Sequence, residues 1–454
     1  MKFKSRLSRN AGWLIPGLQV KRWLFLVLVG AVFIALGLAI LFDAKPISFI
    51  MDMVKLLAGI LPSAVSGLIL LGFGGILFLK GWLNANSSVL QGIDTKDQGH
   101  VLERLYRRRM RDKGPKIVAI GGGTGLSTIL KGLKHITNNL TAIVTVGDDG
   151  GSSGRLRKEF GVLPPGDIRN CIAALASEED LVTKLFQYRF KVGNGLEGHS
   201  FGNLFLSALC NITGDMMSAV IESSKVLAIR GKVLPATLDD MRLVAQMEDG
   251  RVIYGESQIP EAKGKIHRLY CEPSRPRALP AALKAIREAD IIIMGPGSLY
   301  TSIIPNLLIR DISQAISKSH AHKAYICNIM TQPGETDFFS VSDHIKTILT
   351  HAGYANIIDA VIINDSLPSN LASKYRQYGS SPVVIDVENI KKMGIKIINA
   401  RLIEENEQGL VRHSPKRLAR VVYKWYRHIT LRPNKREHYR PIPESMQGVK
   451  EGVK

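Results

Sequence analysis

The chain has 454 residues, of which 45% are hydrophobic, and it carries a formal net charge of +21 at pH 7. This length corresponds to about two or three domains, and the apolar content is ample for a large core. The four cysteines are scattered without a C-x-x-C pair, which argues against a zinc site or a disulfide framework and fits a reducing compartment.

The positive charge is concentrated in three segments outside the predicted core, at residues 2–22, 104–113 and 412–440. Such segments can face acidic lipid headgroups as well as nucleic acid. Because two of them flank long apolar stretches, a DNA-binding role is disfavoured, and we predict no nucleic-acid partner.

Two apolar stretches near the start, residues 23–42 and 56–79, contain no charged residue. Each reaches the roughly 20 residues that a helix needs to cross a bilayer. The first is too long for a typical signal peptide, and a buried helical hairpin would carry a polar face. We therefore predict a transmembrane hairpin over residues 23–82.

Flanking charge predicts the orientation of this hairpin. Residues 1–22 form a basic tail and residues 83–115 form a basic connector, so the positive-inside rule places both ends in the cytoplasm. In a bacterium this would be an inner-membrane protein with two spans and a cytoplasmic domain. Anionic membrane lipids are then expected partners of the connector, although an ordinary solvated helix is the simpler interpretation.

From residue 116 onwards, short apolar runs alternate with stretches typical of helices, which predicts an α/β fold with a doubly wound parallel sheet. The runs lie at residues 117–120, 140–146, 291–294, 324–330, 361–364 and 383–387. An inserted β-hairpin is predicted where residues 242–247 and 251–259 flank Glu248, Asp249 and Gly250.

A helix is predicted after Ser414 and Pro415, which supply an N-cap and a proline at the first helical position. One face is apolar and the other is basic, so the helix could dock on the domain or contact a membrane surface. The domain is expected to span residues 116–434, with a disordered tail at residues 435–454.

The stretch KIVAIGGGTG predicts a strand, a glycine turn and a helix, an arrangement that points free backbone N–H groups at a phosphate. The predicted contacts are Gly121, Gly122, Gly123, Thr124 and Gly125. The spacing departs from the G-x-G-x-x-G fingerprint, and no lysine follows as in a P-loop. A nicotinamide dehydrogenase is therefore disfavoured.

The next predicted strand leads into VTVGDDGGSSGR. Asp148 and Asp149 lie where an acid often meets a ribose hydroxyl, and they could instead hold Mg²⁺. An ordinary polar turn is the simpler alternative. Further candidate nucleotide contacts in this loop are Gly151, Ser152, Ser153 and Arg155.

Two further segments, PPGDIRN and GHSFGN, precede predicted helices. The first offers Asp167, Arg169 and Asn170 at a helix start, where a plain N-cap is the alternative. The second offers His199, Ser200 and Asn203. His199 is a candidate for acid–base catalysis beside Asp148 and Asp149, or a structural histidine.

Two later strand ends carry MGPGSLYTS and NIMTQPGET. Either could be a connecting loop, but ligands of open α/β sheets bind beyond the carboxyl ends of the strands, so one shared crevice is predicted. The candidate contacts are Gly295, Gly297, Ser298, Thr301, Asn328, Thr331, Gly334, Glu335 and Thr336. No G-x-S-x-G, H-E-x-x-H or kinase signature marks a nucleophile.

Taken together, GGGTGLSTILKGL, TVGDDGGSSGRLR, LPPGDIRN, GHSFGNL, MEDGR, MGPGSLYTSIIPNLL and NIMTQPGET resemble the bacterial gluconeogenesis-factor (YvcK-like) family, which is related to the CofD-like 2-phospho-L-lactate transferases. The resemblance covers about residues 116–434. It implies a Rossmann-like sheet with a smaller added region. The membrane hairpin is a departure, since the better-known relatives are soluble.

The resemblance implies two functional hypotheses. The first is a regulator that binds a UDP-sugar, supports cell shape, envelope synthesis and carbon metabolism on gluconeogenic carbon sources, and contacts cell-wall synthesis proteins. The second is a transferase that moves a phospholactyl group from a nucleotide diphosphate carrier to a deazaflavin with Mg²⁺. An oligomer is expected in either case.

Overall fold

The computed structural model describes residues 108–176, 180–366, 379–405 and 411–431, together with isolated positions between residues 26 and 80. The chain forms two compact units, Met1–Met110 and Arg111–Lys454. The predicted tail at residues 1–22, most of the connector and the C-terminal residues 435–454 lie outside the described residues.

In the first unit, the described positions are helical and most of their large apolar side chains are exposed, as for Ile40 at 80% and Leu56 at 73%. Among these described residues, no helix has both the length and the apolar character required to cross a membrane. The predicted spans fall largely on residues outside the described ones.

The second unit contains twelve described strands, and the largest set forms a seven-stranded sheet in the order β10-β9-β8-β7-β1-β2-β3. The strands are β1 (Ile117–Gly121), β2 (Leu140–Val144), β3 (Lys232–Pro235), β4 (Arg242–Met247), β5 (Val252–Tyr254), β6 (Ile266–Glu272), β7 (Ile291–Met294), β8 (His322–Ile326), β9 (Ala360–Asn364), β10 (Lys396–Ala400), β11 (Ile403–Glu405) and β12 (Val411–His413). All neighbouring pairs in the large sheet are parallel.

Helices cover this sheet and carry the chain between its strands. They are α1 (Gly123–Leu133), α2 (Gly151–Phe160), α3 (Gly166–Leu175), α4 (Asp180–Gln187), α5 (Phe201–Thr213), α6 (Met216–Val226), α7 (Gln258–Glu261), α8 (Pro280–Glu288), α9 (Ile304–Leu308), α10 (Arg310–Lys318), α11 (Val341–Ala352), α12 (Val387–Lys392) and α13 (Pro415–Leu431). Two large hydrophobic clusters occupy the two faces of the sheet, as a doubly wound α/β fold requires.

The predicted strands at residues 117–120, 291–294 and 361–364 are confirmed, and the strand at 140–146 is confirmed but ends at Val144. The run at 324–330 is shifted, because its strand begins at His322 and ends at Ile326. The predicted strand at residues 383–387 is wrong. Val384 and Ile385 are bridge residues outside any strand, with Val384 paired to Ser340, and α12 begins at Val387. Asp386 ends the run because its carboxylate accepts the Ser342 N–H at 3.0 Å.

The inserted region is larger than the predicted hairpin. Strands β4 and β5 pair antiparallel around Gly250, whose φ of +88° suits a glycine turn. A third strand, β6, pairs with the other edge of β4. The predicted second strand ends at Tyr254, and the chain then turns into α7.

The C-terminal helix α13 docks on the domain, which is one of the two alternatives that the sequence offered. Leu418 and Val422 are fully buried and Trp425 is nearly so. The contact with α1 is close, because a Cβ atom on Gly132 would lie 2.1 Å from the Pro415 carbonyl oxygen. The basic face remains exposed, at Arg417, Arg420, Lys424 and Arg427.

Candidate functional site

A crevice of about 570 Å³ lies beyond the carboxyl ends of β1, β2, β7 and β8. This is the end of a parallel sheet at which ligands of open α/β folds bind. Predicted contacts on its wall are Gly122, Gly123, Thr124, Gly125, Asp148, Asp167, Gly297, Ser298, Thr301, Asn328 and Thr331. The four predicted strand-end loops therefore do contribute to one crevice.

The glycine turn opens α1 toward this crevice. The N-cap residue Gly122 has no side chain to cap the helix, and Thr124 and Thr128 line the wall one turn apart. Gly125 has a packing role, since a Cβ atom there would lie 2.3 Å from the Pro296 carbonyl oxygen. The motif thus supplies helix N-terminal N–H groups and lets the neighbouring loop approach.

Three carboxylic acids share the wall: Asp148, Asp167 and Glu256. Burial, followed by the neighbouring Asp148 charge, raises the pKa of Asp167 to about 7. Burial, followed by the charges of Asp148 and Asp167, raises the pKa of Glu256 to about 8. Burial also raises the pKa of Asp148. The wall therefore holds acids that are close to their titration midpoints near neutral pH.

Of the two adjacent acids Asp148 and Asp149, only Asp148 lines this wall. The Asp149 Oδ1 atom accepts the Ser257 N–H at 2.9 Å, and Asp149 is not among the residues that line the crevice. The described residues include no group of three or more His, Cys, Asp or Glu side chains that could hold a metal ion. The acid that stands beside Asp148 at the wall is Asp167.

Several wall residues were not identified from the sequence. Arg412 of β12 is the one Arg or Lys among the described residues of the wall, and it belongs to the basic segment 412–440, for which the sequence allows contact with acidic lipid headgroups or nucleic acid. Its neighbour His413 is 8% exposed, its Nε2 atom has no hydrogen-bond partner, and burial lowers its pKa to about 4. Other wall residues outside the predicted contacts are Thr128, Thr145, Glu256 and Ser380. The remaining wall residues, Pro296, Ser302, Ile329, Met330 and Gln332, lie in the two predicted strand-end loops MGPGSLYTS and NIMTQPGET.

The GHSFGN motif forms a buried polar network away from the crevice wall. The Ser152 Oγ and His199 Nδ1 atoms lie 2.9 Å apart, and the Asn203 amide donates to Ser152 Oγ at 3.0 Å. Arg169 donates to Ser200 Oγ and to Asn170 Oδ1. Burial, followed by the Arg155 charge, lowers the pKa of His199. This geometry favours the structural interpretation of His199.

Other predicted contacts support the wall from behind. Ser153 Oγ accepts the N–H of Gly166 at 3.1 Å, and Thr336 Oγ1 accepts that of Gln332 at 2.9 Å. The Glu335 carboxyl accepts the Tyr300 N–H, and burial raises its pKa to about 7. The predicted contacts that do not line the crevice are Gly121, Asp149, Gly151, Ser152, Ser153, Arg155, Arg169, Asn170, His199, Ser200, Asn203, Gly295, Gly334, Glu335 and Thr336.

Known proteins resemble the chain in both sequence and fold. A family model described as 2-phospho-L-lactate transferase CofD matches residues 117–403. A Nostoc sp. protein with the gluconeogenesis factor name is 54% identical over 427 residues, covering 93% of this chain and 93% of its own length. The Bacillus subtilis gluconeogenesis factor is 50% identical over 309 residues, covering 68% of this chain and 97% of its own length.

A crystal structure of a Bacillus halodurans protein superposes with a TM-score of 0.66 at 46% identity, covering 68% of this chain and 99% of that protein. The matched Bacillus proteins thus correspond nearly whole to part of this chain. The parallel sheet, the strand-end loops and these identities agree, and the chain belongs to the gluconeogenesis factor (YvcK-like) family of CofD-like proteins.

Proposed function

We propose that the crevice binds a nucleoside diphosphate sugar, with a UDP-sugar as the ligand, and that the protein acts as a regulator rather than as an enzyme. The observation that carries the proposal is the N-terminus of α1, which faces a cavity of about 570 Å³. The Gly123 N–H donates to the Asp167 carboxyl, and Thr124 and Gly125 of the same turn line the cavity. Helix N-termini favour phosphate groups, and this volume is within the usual range of about 300–1,000 Å³ for small-molecule sites.

Polar groups around the helix N-terminus suit a diphosphate. Thr124 offers a hydroxyl donor on one side, and Ser298 and Ser302 offer hydroxyls from the facing loop. The Thr128 hydroxyl donates to the Thr124 carbonyl oxygen at 2.9 Å, so toward a ligand it can act as an acceptor. Arg412 supplies the positive charge, and a guanidinium binds phosphate oxygens in a forked geometry. In this proposal the diphosphate lies between the α1 N-terminus and Arg412.

The acids of the wall would repel this diphosphate unless their charge is neutralised. Protonation can do so, because Asp167 and Glu256 have pKa values of about 7 and 8. Mg²⁺ can also do so, since it is usually held by one or two carboxylates together with phosphate oxygens and waters. Asp148 and Asp167 would hold the ion, which would supply positive charge against the diphosphate.

A binding role is favoured over catalysis by the position of the polar networks. The histidine of the GHSFGN motif lies in a buried network off the wall, beside Ser152. The described wall histidine, His413, is buried and neutral at physiological pH. His199 does lie beside the Ser152 hydroxyl, but both residues are buried and neither lines the crevice. A base–nucleophile pair for covalent catalysis must reach the bound substrate, and this pair does not face the wall.

The cellular role that we propose is the support of cell shape, envelope synthesis and central carbon metabolism during gluconeogenic growth, through contacts with cell-wall synthesis proteins. The gluconeogenesis factor name of the relatives supports the metabolic part. Exposed apolar side chains on helical positions of the first unit support anchoring in the inner membrane. The α/β unit would then be cytoplasmic, and an oligomer is expected.

Calorimetric titration tests the binding proposal. UDP-N-acetylglucosamine with Mg²⁺ is expected to give a saturable one-site isotherm, and the recovered nucleotide should be chemically unchanged. GDP and NAD serve as comparison ligands. The absence of heat with every uridine nucleotide would refute the proposal.

A second candidate is a transferase of the 2-phospho-L-lactate type, using a nucleotide diphosphate-linked donor, a deazaflavin acceptor and Mg²⁺. The acid cluster favours it, because Glu256, with a pKa of about 8, is protonated at neutral pH and can donate a proton at the wall. Incubation with authentic substrates tests this candidate. Product that disappears in Glu256→Gln would support it, and no product from the unmodified protein would exclude it.

A further inference from the structure

The amino end of the large sheet is basic. All its strands are parallel, so each helix that leads directly into a strand of this sheet ends at that side of the domain. Five such helices, α1, α6, α8, α10 and α12, carry Lys or Arg in their last turn. These cations are Lys131, Lys225, Arg287, Lys318, Lys391 and Lys392.

The strands add to this charge where they begin. Lys116 immediately precedes β1, Lys232 is the first residue of β3, and Lys396 is the first residue of β10. All three are exposed. The helix dipole favours cations near a helix C-terminus, which accounts for the Lys and Arg residues in the last turns of the helices. It does not account for the lysines at the starts of the strands.

A second cavity of about 600 Å³ opens at this basic end, between α6 and α8. Its wall combines apolar side chains, such as Met217 and Ile221, with the lysines Lys116, Lys225, Lys232 and Lys284. Glu288 pairs with Lys116 at 3.5 Å and with Lys284 at 3.9 Å, and Glu222 pairs with Lys225 at 2.7 Å. The four lysines of the wall still outnumber these two acids. A site with cations around an apolar wall suits an anionic amphiphile.

Both basic flanking segments join the folded unit at the same end. The connector ends beside the start of β2, where Asn138 donates to Asp112 at 2.6 Å. Helix α13 runs toward this end, because Trp425 packs edge-on against His322 at the start of β8. The sequence after α13 continues with Arg432, Lys435 and Arg436.

We propose that the amino end of the sheet, with its lysine-lined cavity, is a docking surface for a bilayer that contains anionic phospholipid. The lipid phosphates contact the cations, and the glycerol or acyl portion of one lipid enters the cavity beside α6. Anionic lipid is the occupant that matches both the charge and the apolar wall, whereas a nucleic-acid backbone would leave the apolar wall without a partner. The surface is distinct from the nucleotide crevice and does not depend on it.

The test uses the fragment 111–454, so that the apolar N-terminal segments cannot hold the protein on the membrane. This fragment is expected to fold, because the matched Bacillus halodurans protein corresponds to 68% of this chain over 99% of its own length. It should sediment with phosphatidylcholine vesicles that contain about 30% phosphatidylglycerol at about 150 mM salt, and not with phosphatidylcholine alone.

The decisive variant combines Lys225→Glu, Lys232→Glu and Lys284→Glu. Each cation near an anionic surface is worth about fivefold in binding, so loss of the three cations alone should lower the vesicle partition coefficient about a hundredfold, and the three new carboxylates should lower it further. The matched control reverses three exposed cations elsewhere, with Lys265→Glu, Arg268→Glu and Lys346→Glu, and should retain partitioning within about threefold. Thermal melts test whether both variants fold. If the variant with Lys225→Glu, Lys232→Glu and Lys284→Glu does not fold, a variant with Gln at the same three positions replaces it.

Three results would overturn the proposal. They are equal partitioning onto neutral and anionic vesicles, equal losses in the test and control variants, and displacement from vesicles by a short RNA duplex at equal phosphate concentration. The last result would assign the surface to nucleic acid. Calorimetry with UDP-N-acetylglucosamine on the same variants separates this outcome from any failure of the nucleotide proposal.

Discussion

At the carboxyl end of the sheet, loops surround a crevice whose described wall holds three carboxylic acids and one arginine. At the amino end, helix ends and strand starts present lysines and arginines around a second cavity. The two cavities have similar volumes, about 570 and 600 Å³, yet their chemistry differs. Hydroxyls, glycine N–H groups and acids line the first, whereas apolar side chains and lysines line the second.

This difference shows how one parallel sheet can serve two binding tasks. Strand-to-helix turns at the carboxyl end expose helix N-termini, which attract phosphate, and helix C-termini at the amino end attract cations. The net charge of +21 therefore does not describe the crevice, where acids outnumber Arg and Lys. Variants that change one end and spare the other test this division.

The largest effect is expected from Gly125→Ala. Its new Cβ atom would lie 2.3 Å from the Pro296 carbonyl oxygen, so the two loops must separate, and overpacking of this kind costs about 1–3 kcal/mol. We expect UDP-sugar binding to fall below detection by calorimetry, together with a lower melting temperature. Gly121→Ala in the same motif is the control, because its Cβ would make an ordinary contact of 3.6 Å with Leu126. Equal affinities of the two variants would contradict the packing role.

Arg412→Ala should have the next largest effect. Removal of a charged hydrogen bond to phosphate costs about 1.5–3 kcal/mol, which is about 10- to 100-fold in affinity. Arg420→Ala, an exposed arginine on α13 away from the crevice wall, should bind within about twofold of the unchanged protein. Unaltered binding by Arg412→Ala would place the phosphate elsewhere.

The pH dependence of binding should be smaller but diagnostic. Without Mg²⁺, Asp167 and Glu256 lose their protons as the pH rises through about 7 and 8, and the ionised carboxylates then repel the diphosphate. Affinity for the UDP-sugar should therefore fall about tenfold between pH 6 and pH 8, which corresponds to about 1.4 kcal/mol of binding free energy. Added Mg²⁺ and the Asp167→Asn variant should each flatten this profile. Affinity that rises with pH would contradict the acid-cluster account.

The smallest effect is expected at the opposite end. The variant with Lys225→Glu, Lys232→Glu and Lys284→Glu should bind UDP-sugar within about twofold of the unchanged protein, since salt screens exposed charges beyond about 10 Å. A tenfold change in affinity in either direction would show that the two ends are coupled.

The position of the crevice was accessible from the sequence because parallel strands bring their carboxyl ends together. Runs such as IVAIG followed by glycine identify both the strand and the turn. Strands β3 and β10 were missed, because KVLP is short and ends in proline, and KIINA carries polar residues at an edge of the sheet. The local sequence pattern of a strand is therefore least informative at the edges of the sheet.

The sequence was less informative about individual wall residues. Glu256 and Arg412 lie in segments without glycine-rich motifs, and they reach the crevice only through the inserted sheet and the β11–β12 pair. Conversely, Ser152, His199 and Asn203 stand in conspicuous motifs but bond mainly to one another. A cluster of polar residues in the sequence indicates that a hydrogen-bonded network forms there. Only the packing of the folded chain shows which of those residues face the crevice.

A crystal structure of the α/β unit with UDP-N-acetylglucosamine and Mg²⁺ tests the central claim most directly. The account predicts the diphosphate at the N-terminus of α1, with Arg412 on its oxygens and Asp148 and Asp167 on the metal side. Nucleotide bound away from the Gly122–Gly125 turn, or a crevice left empty at saturating ligand, would contradict it.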